Sequence, residues 1–188
     1  MVAVITINRL TGPAGTIVET PITAINTRVN AEDAHTVAGT TNPIEIPTGA
    51  DNYSYWCTTQ LDCTTAPDNL VNNLEWYTET ADSYGANVTC VVGKAARASY
   101  TQASGTPGVT GIVLSDANYV NGTLTPAAPL DAFAKTTGAP FALTGSTAAT
   151  GAFGDLVIYQ VVVAAGATPG DHPPGGSEEQ FNFRYDET

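Results

Sequence analysis

The sequence predicts an all-β protein: an antiparallel β-sandwich, jelly-roll or immunoglobulin-like, in a single domain over residues 1–188. Three observations carry that expectation. Segments with apolar residues at alternate positions recur along the chain, as half-buried strands require. Gly, Pro and Asn turns divide them at intervals of about 8–12 residues, the spacing of sandwiches and jelly rolls. Eighteen Gly, twelve Pro and many β-branched residues leave no uninterrupted helical window of ten residues.

The elements follow in order. Residues 2–7 and 15–23 read as strands, and the segment 1–42 as an N-terminal arm or a set of edge strands. A short strand is expected at 43–47, then an aromatic one at Tyr53–Leu61. Pro67 beside Asp68 suits the first turn of a single helical turn over 66–71. Leu74–Thr78 alternates Leu74, Trp76 and Thr78 on one face, and Asn87–Val92 starts a further strand beside the Gly85 turn. Residues 98–103, 109–114 and 140–144 carry weaker strand patterns. Leu156–Val163 is apolar on both faces, as a central strand should be. In Gln180–Asp186, Phe181, Phe183 and Tyr185 share one face. Two low-charge stretches, Gly138–Gly154 and Ala164–Glu179, read as long loops. The expected core comprises Ile5, Ile7, Trp56, Leu74, Trp76, Val88, Cys90, Ile158, Val162, Phe181 and Phe183.

Composition narrows the function classes. The formal charge is −12, with six basic residues against eighteen acidic ones. Neutralising phosphates needs Lys and Arg, so no nucleic-acid partner is expected. No apolar stretch approaches the roughly 18 residues of a membrane helix, so no membrane partner is expected. Thr supplies about 15 % of the chain, far above ordinary usage. That surface chemistry suits life outside a cell. Yet Met1–Arg9 reads as a strand, without the basic start and apolar run of an export signal. Cytoplasmic synthesis followed by an exposed working life describes a component of a virus particle. Cys57, Cys63 and Cys90 match no zinc spacing and are expected to be reduced, small buried hydrophobes, with a Cys57–Cys63 bridge as the alternative if a turn brings the two together.

No residue pattern assigns an enzyme, and no catalytic, cofactor or metal site is assigned. His35 and His172 are the only histidines and have no second His at metal spacing. Thr144-Gly145-Ser146-Thr147 does not form a nucleophile turn. Asp51, Asp62, Asp68 and Asp82 offer one carboxylate per turn, which suits solvated turn residues better than calcium ligands. The aromatic strands carry the candidate contact residues. If Trp56 and Trp76 point inward, alternation places Tyr53, Tyr55 and Tyr77 on the outer faces, where they would serve an interface or stack on sugar rings.

The strand at Met1, the Thr/Gly/Ala-rich acidic composition, and the Ala167-Thr168-Pro169-Gly170 turn before the alternating Phe181–Asp186 segment resemble virion structural proteins of tailed bacteriophages. The likeness is to head decoration (cement) proteins and related tail β-domains. It implies a non-enzymatic, homo-oligomeric protein of the virion, expected to be trimeric. Its partner would be the major capsid protein, and an N-terminal arm would add to a neighbour's sheet. The alternative is a host-recognition or carbohydrate-binding β-module on a phage tail or cell surface.

Overall fold

The computed structural model describes residues 2–23, 27–37, 41–79, 83–120, 122–173 and 179–188. Among these the chain is nearly all β and its sheets are antiparallel. The strands are β1 (Val4–Thr11), β2 (Val18–Pro21), β3 (Asn52–Tyr53), β4 (Cys57–Thr65), β5 (Val71–Thr78) and β6 (Val88–Ala95), followed by β7 (Gly105–Thr106), β8 (Thr110–Gly111), β9 (Thr125–Asp131), β10 (Phe141–Ala142), β11 (Gly151–Val163) and β12 (Phe181–Glu187). A single 3₁₀ turn, Arg97–Ser99, lies between β6 and β7. The segment 66–71, expected to hold one helical turn, instead leads directly into β5.

The large sheet runs β2-β1-β4-β11-β6-β9, with β3 pairing the end of β11. The small sheet is β10-β5-β12, and β7 and β8 form a separate hairpin. The two main sheets pack face to face as a β-sandwich. Alternation decides what each face carries. Pairing aligns Ile7 with Leu61, Arg9 with Thr59, Val157 with Thr59 and Val161 with Cys90, so these side chains share the inner face. There Cys57, Val92, Val157 and Tyr159 pack against Trp76 of the small sheet.

The opposite face of the large sheet is buried too. Leu10, Leu156 and Ile158 pack against Trp56, Tyr100, Leu114, Tyr119 and Leu124, most of them from the coil between β6 and β9. Two-sided burial explains why β11 reads as apolar on both faces. Gly93 marks how closely this third, irregular layer approaches: a Cβ there would lie 2.8 Å from Leu124 Cδ1. Segments 98–103 and 109–114 belong to this layer. Only Thr110–Gly111 of them is strand.

Buried polar groups fasten the coil to the sheet. Gln160, fully buried in β11, accepts from Leu114 N (2.6 Å) and donates to Ser54 O (2.7 Å) and Ile112 O (2.9 Å). Trp56 Nε1 donates to the same Ile112 carbonyl at 2.9 Å. On the neighbouring strand, Gln60 Nε2 donates to Gly154 O at 2.9 Å, and its carbonyl accepts from Arg97, which also pairs with Glu19.

The N-terminal segment is not a free arm. β1 is hydrogen-bonded on both sides, to β4 and to β2, and Arg9 and Leu10 are fully buried. The strand carries Ile5, Ile7 and Arg9 on one face and Leu10 on the other; β4 pairs it from Val4 to Leu10, and β2 covers its other side from Asn8 to Thr11. β2 is the edge strand. Strand β9, with Pro126 and Pro129, was not expected from the sequence; it sits at the opposite edge, where one side of the backbone needs no partner. Gly138–Gly154, expected to be one loop, contains β10 and the start of β11. Residues 43–47 form no strand, though Glu45 N donates to Val109 O.

Of the expected core, Trp56, Leu74, Trp76, Val88, Cys90 and Ile158 are buried. Ile5, Ile7, Val162, Phe181 and Phe183 are only half-buried. For Ile7, Phe181 and Phe183 the cause is specific: they line a cavity between the sheets. All three cysteines are free and buried. Cys57 and Cys63 lie six residues apart on one strand, about 20 Å at the strand rise, far beyond disulfide reach.

Candidate functional site

The cavity has a volume of about 490 Å³ and opens between the inner face of the large sheet and the β12 edge of the small one. Strands supply its apolar wall: Ile7, Val161 and Val163 from the large sheet, Trp76, Phe181 and Phe183 from the small one. The coils 27–30 and 43–46 and the turn 168–173 close its mouth. Phe181 is held edge-on by two rings, Trp76 at 5.2 Å and Tyr159 at 4.8 Å between centroids.

Trp76 is 0 % exposed, and its Nε1–H has no acceptor among the described residues. A buried donor without a partner is uncommon, because desolvation costs about 1–3 kcal/mol. Trp56 shows the ordinary arrangement, with its N–H on a carbonyl.

Arg9 follows Ile5 and Ile7 on the inward face of β1. It is 1 % exposed; its Nη1 donates to Thr27 Oγ1 (2.7 Å) and Arg28 O (2.8 Å), and its Nε has no acceptor among the described residues. Thr27 Oγ1 lies 3.0 Å from His35 Nδ1. Since Thr27 accepts from the guanidinium, its own hydroxyl proton is free to donate to Nδ1, which favours a neutral imidazole. Burial first, and then the Arg9 charge, hold the His35 pKa below its ordinary 6.5.

The sign of the resulting pH effect follows. The unfolded chain takes up a proton near pH 6.5, whereas the folded one resists, so this stability is complete above about 6.5 and is lost as pH falls through the folded pKa. His35→Asn keeps an acceptor near the Nδ1 position and removes the titration. Its melting temperature should therefore fall less than the wild type's between about pH 7 and pH 5. Equal slopes would count against the Arg9–Thr27–His35 chain.

At the mouth, His172 Nδ1 lies 2.7 Å from Tyr84 O and Nε2 lies 2.8 Å from Thr168 O. Deeper in, Cys57 Sγ donates to Tyr159 Oη at 2.9 Å. Burial, and then the Cys57 neighbour, push the Tyr159 phenol well above its usual range. Burial likewise raises the Cys90 thiol, so it is a packing residue and not a nucleophile.

The three candidate tyrosines do not form one surface. Tyr55 is buried at 6 % exposure in the core under the coil layer, not on an outer face. Alternation fails there because residues 54–56 form a non-strand link between β3 and β4. Tyr53 is half-buried in β3 of the large sheet. Tyr77 is half-buried on β5 of the small sheet, with the Arg184 guanidinium 5.8 Å from its ring centre. Asp51 and Asp68 are exposed, Asp62 sits within β4, and Asp82 lies outside the described residues. Among the described residues no group of three His, Cys, Asp or Glu is placed to hold a metal.

A second surface stands on the coil layer. Ile112, Val113 and Val120 are 43 %, 40 % and 40 % exposed, and the backbone at the first two is held by Gln160 and Trp56 through Ile112 O and Leu114 N. Val120 has φ +40°, a region that β-branched residues rarely occupy. Neither this rim nor the cavity was foreseen from the sequence. One signal was there to read: an arginine continuing the inward period Ile5–Ile7. No family model matches the chain, and no curated protein or solved structure shows significant similarity to it.

Proposed function

We propose that the protein is a non-enzymatic structural component of a virion, a capsid decoration (cement) protein. It binds the assembled shell as a homo-oligomer, a trimer at threefold lattice positions, with the major capsid protein as its partner. The observation that carries this reading is the Ile112–Val113–Val120 rim. Exposed apolar side chains on coil would ordinarily move. Here the backbone at Ile112 and Leu114, on either side of Val113, is bonded to Gln160 of the central strand, so docking there orders little that is not already ordered. Binding the shell and not its free subunits shifts the balance toward the intact particle by mass action.

The test is occupancy on shells lacking the protein. The double variant Ile112→Asp, Val113→Asp should bind at least about ten-fold more weakly, since losing even one buried aliphatic side chain is worth about 1.5–3 kcal/mol. Its melting temperature should be unchanged, because both side chains face solvent in the isolated protein. Full occupancy by the double variant, or absence of the protein from purified particles, would refute the proposal. The carbohydrate-binding alternative would rest on Tyr77 with Arg184, since Tyr55 is buried. A glycan array with hits abolished by Tyr77→Ala would favour it.

A further inference from the structure

In a chain with eighteen acidic residues and six basic ones, an arginine without a carboxylate partner is unexpected. The ion pairs among the described residues use Lys94 with Asp155, Arg97 with Glu19, and Arg184 with Glu75. Arg9 and Arg28 take part in none of them. They are neighbours, joined by the bond from Arg9 Nη1 to the Arg28 carbonyl, and they meet at the cavity. Arg28 is half-buried in the cavity wall, while Arg9 is buried behind it, close enough to act electrostatically on Tyr159, a wall residue. Two acids also border the space. Asp171 is exposed, and Glu179 has a partner of its own.

Such an arrangement is poised for an anion. A buried guanidinium without a counter-charge is costly, and an incoming negative group relieves that cost where water is largely excluded. The rest of the wall is mixed: Ile7, Val161, Val163 and Phe183 give it an apolar stretch, while Thr27, Asn30, Thr59 and Asn182 add polar groups. The volume, about 490 Å³, lies within the roughly 300–1,000 Å³ of small-molecule sites.

We infer that the cavity between the sheets binds a small apolar carboxylic acid of the medium-chain fatty-acid class. Arg28 supplies the counter-charge, with Arg9 behind it. The Trp76 ring, part of the cavity wall, lies where its indole resonance reports on occupancy. Val161, Val163 and Phe183 receive its apolar body. This site is separate from the rim that carries the shell-binding proposal, and its test uses the isolated full chain, so the two readings stand or fall independently.

The test follows the two tryptophan indole N–H resonances of ¹⁵N-labelled protein during titration with decanoate and, in parallel, with 1-decanol. Trp56, already bonded to Ile112 O, is the internal control. Decanoate should shift the Trp76 resonance saturably and leave that of Trp56 in place. Decanol, with the same tail and no charge, should bind at least ten-fold more weakly. Arg28→Gln should weaken decanoate by a similar factor without affecting decanol. The Arg28 side chain makes no hydrogen bond within the described structure, so the variant should keep the wild-type melting temperature. No saturable Trp76 shift at millimolar decanoate would overturn the site. Equal affinity for the two probes, or an Arg28→Gln variant that binds decanoate normally, would overturn the assignment to an acid.

Discussion

Trp76→Ala is expected to lower the unfolding free energy by about 3–5 kcal/mol. The indole is fully buried where the two sheets meet, and it touches both. Removing it would enlarge a cavity that already lies beside it, so the surroundings have little support from which to collapse inward. Phe181 would lose one of the two rings that hold it edge-on, and with it the register of β12 at the edge of the small sheet. Urea unfolding of the wild type and the variant measures the difference. A loss under about 1 kcal/mol would mean that the small sheet is not anchored through this residue. Trp76→Phe makes a useful companion. It keeps a ring but discards a donor that has no acceptor among the described residues, so it should cost far less.

The second large effect is expected at Gln160. Gln160→Leu retains most of the volume but strips the sheet of the group that holds the coil layer. Leu114 N and Ser54 O would lose their partner in a buried setting, while Ile112 O would still accept from Trp56. At about 1–3 kcal/mol for each of the two orphaned groups, the loss should be about 2–6 kcal/mol. A global unfolding measurement alone would not distinguish this from ordinary core damage. Hydrogen exchange would. Amides in residues 112–119 should exchange much faster, while those of β4 and β6 should follow only the global change in stability. Uniform acceleration over the whole chain would show that the coil and sheet form one cooperative unit.

These two residues explain why the molecule is more than a sandwich. Trp76 couples small sheet to large sheet across one face, and Gln160 couples irregular chain to the same large sheet across the other. The first contact is apolar and tolerates variation in shape. The second is directional. It fixes the coil backbone at Ile112 and Leu114, on either side of the exposed Val113.

Much of the strand content was legible because its determinants are local. In β12, Phe181, Phe183 and Tyr185 alternate with Asn182 and Arg184, and no other backbone geometry separates them onto two faces. Leu74, Trp76 and Thr78 mark β5 in the same way, and the unbroken apolar run of β11 marked a strand covered on both sides. Whether Cys57 and Cys63 are bridged was left open by the sequence; their placement on one strand, β4, keeps them apart.

What the tertiary structure alone decided is where each strand lies and what covers it. Val4–Thr11 carries the same alternation whether it extends as an arm or inserts between β2 and β4; only the pairing with β4, about fifty residues away, settles that. Residues 109–114 have strand-like composition, yet beyond the short β8 the side chains of Gln160 and Trp56 satisfy Ile112 O and Leu114 N in place of a longer ladder. Tyr55 was expected outside because alternation was carried through a break at 54–56, and its burial depends on the distant coil that lies over it. The cavity and the Arg9–Arg28 pair belong to the same class of facts. They arise where three segments distant in sequence meet, and no local pattern records how well such segments fill the space between them.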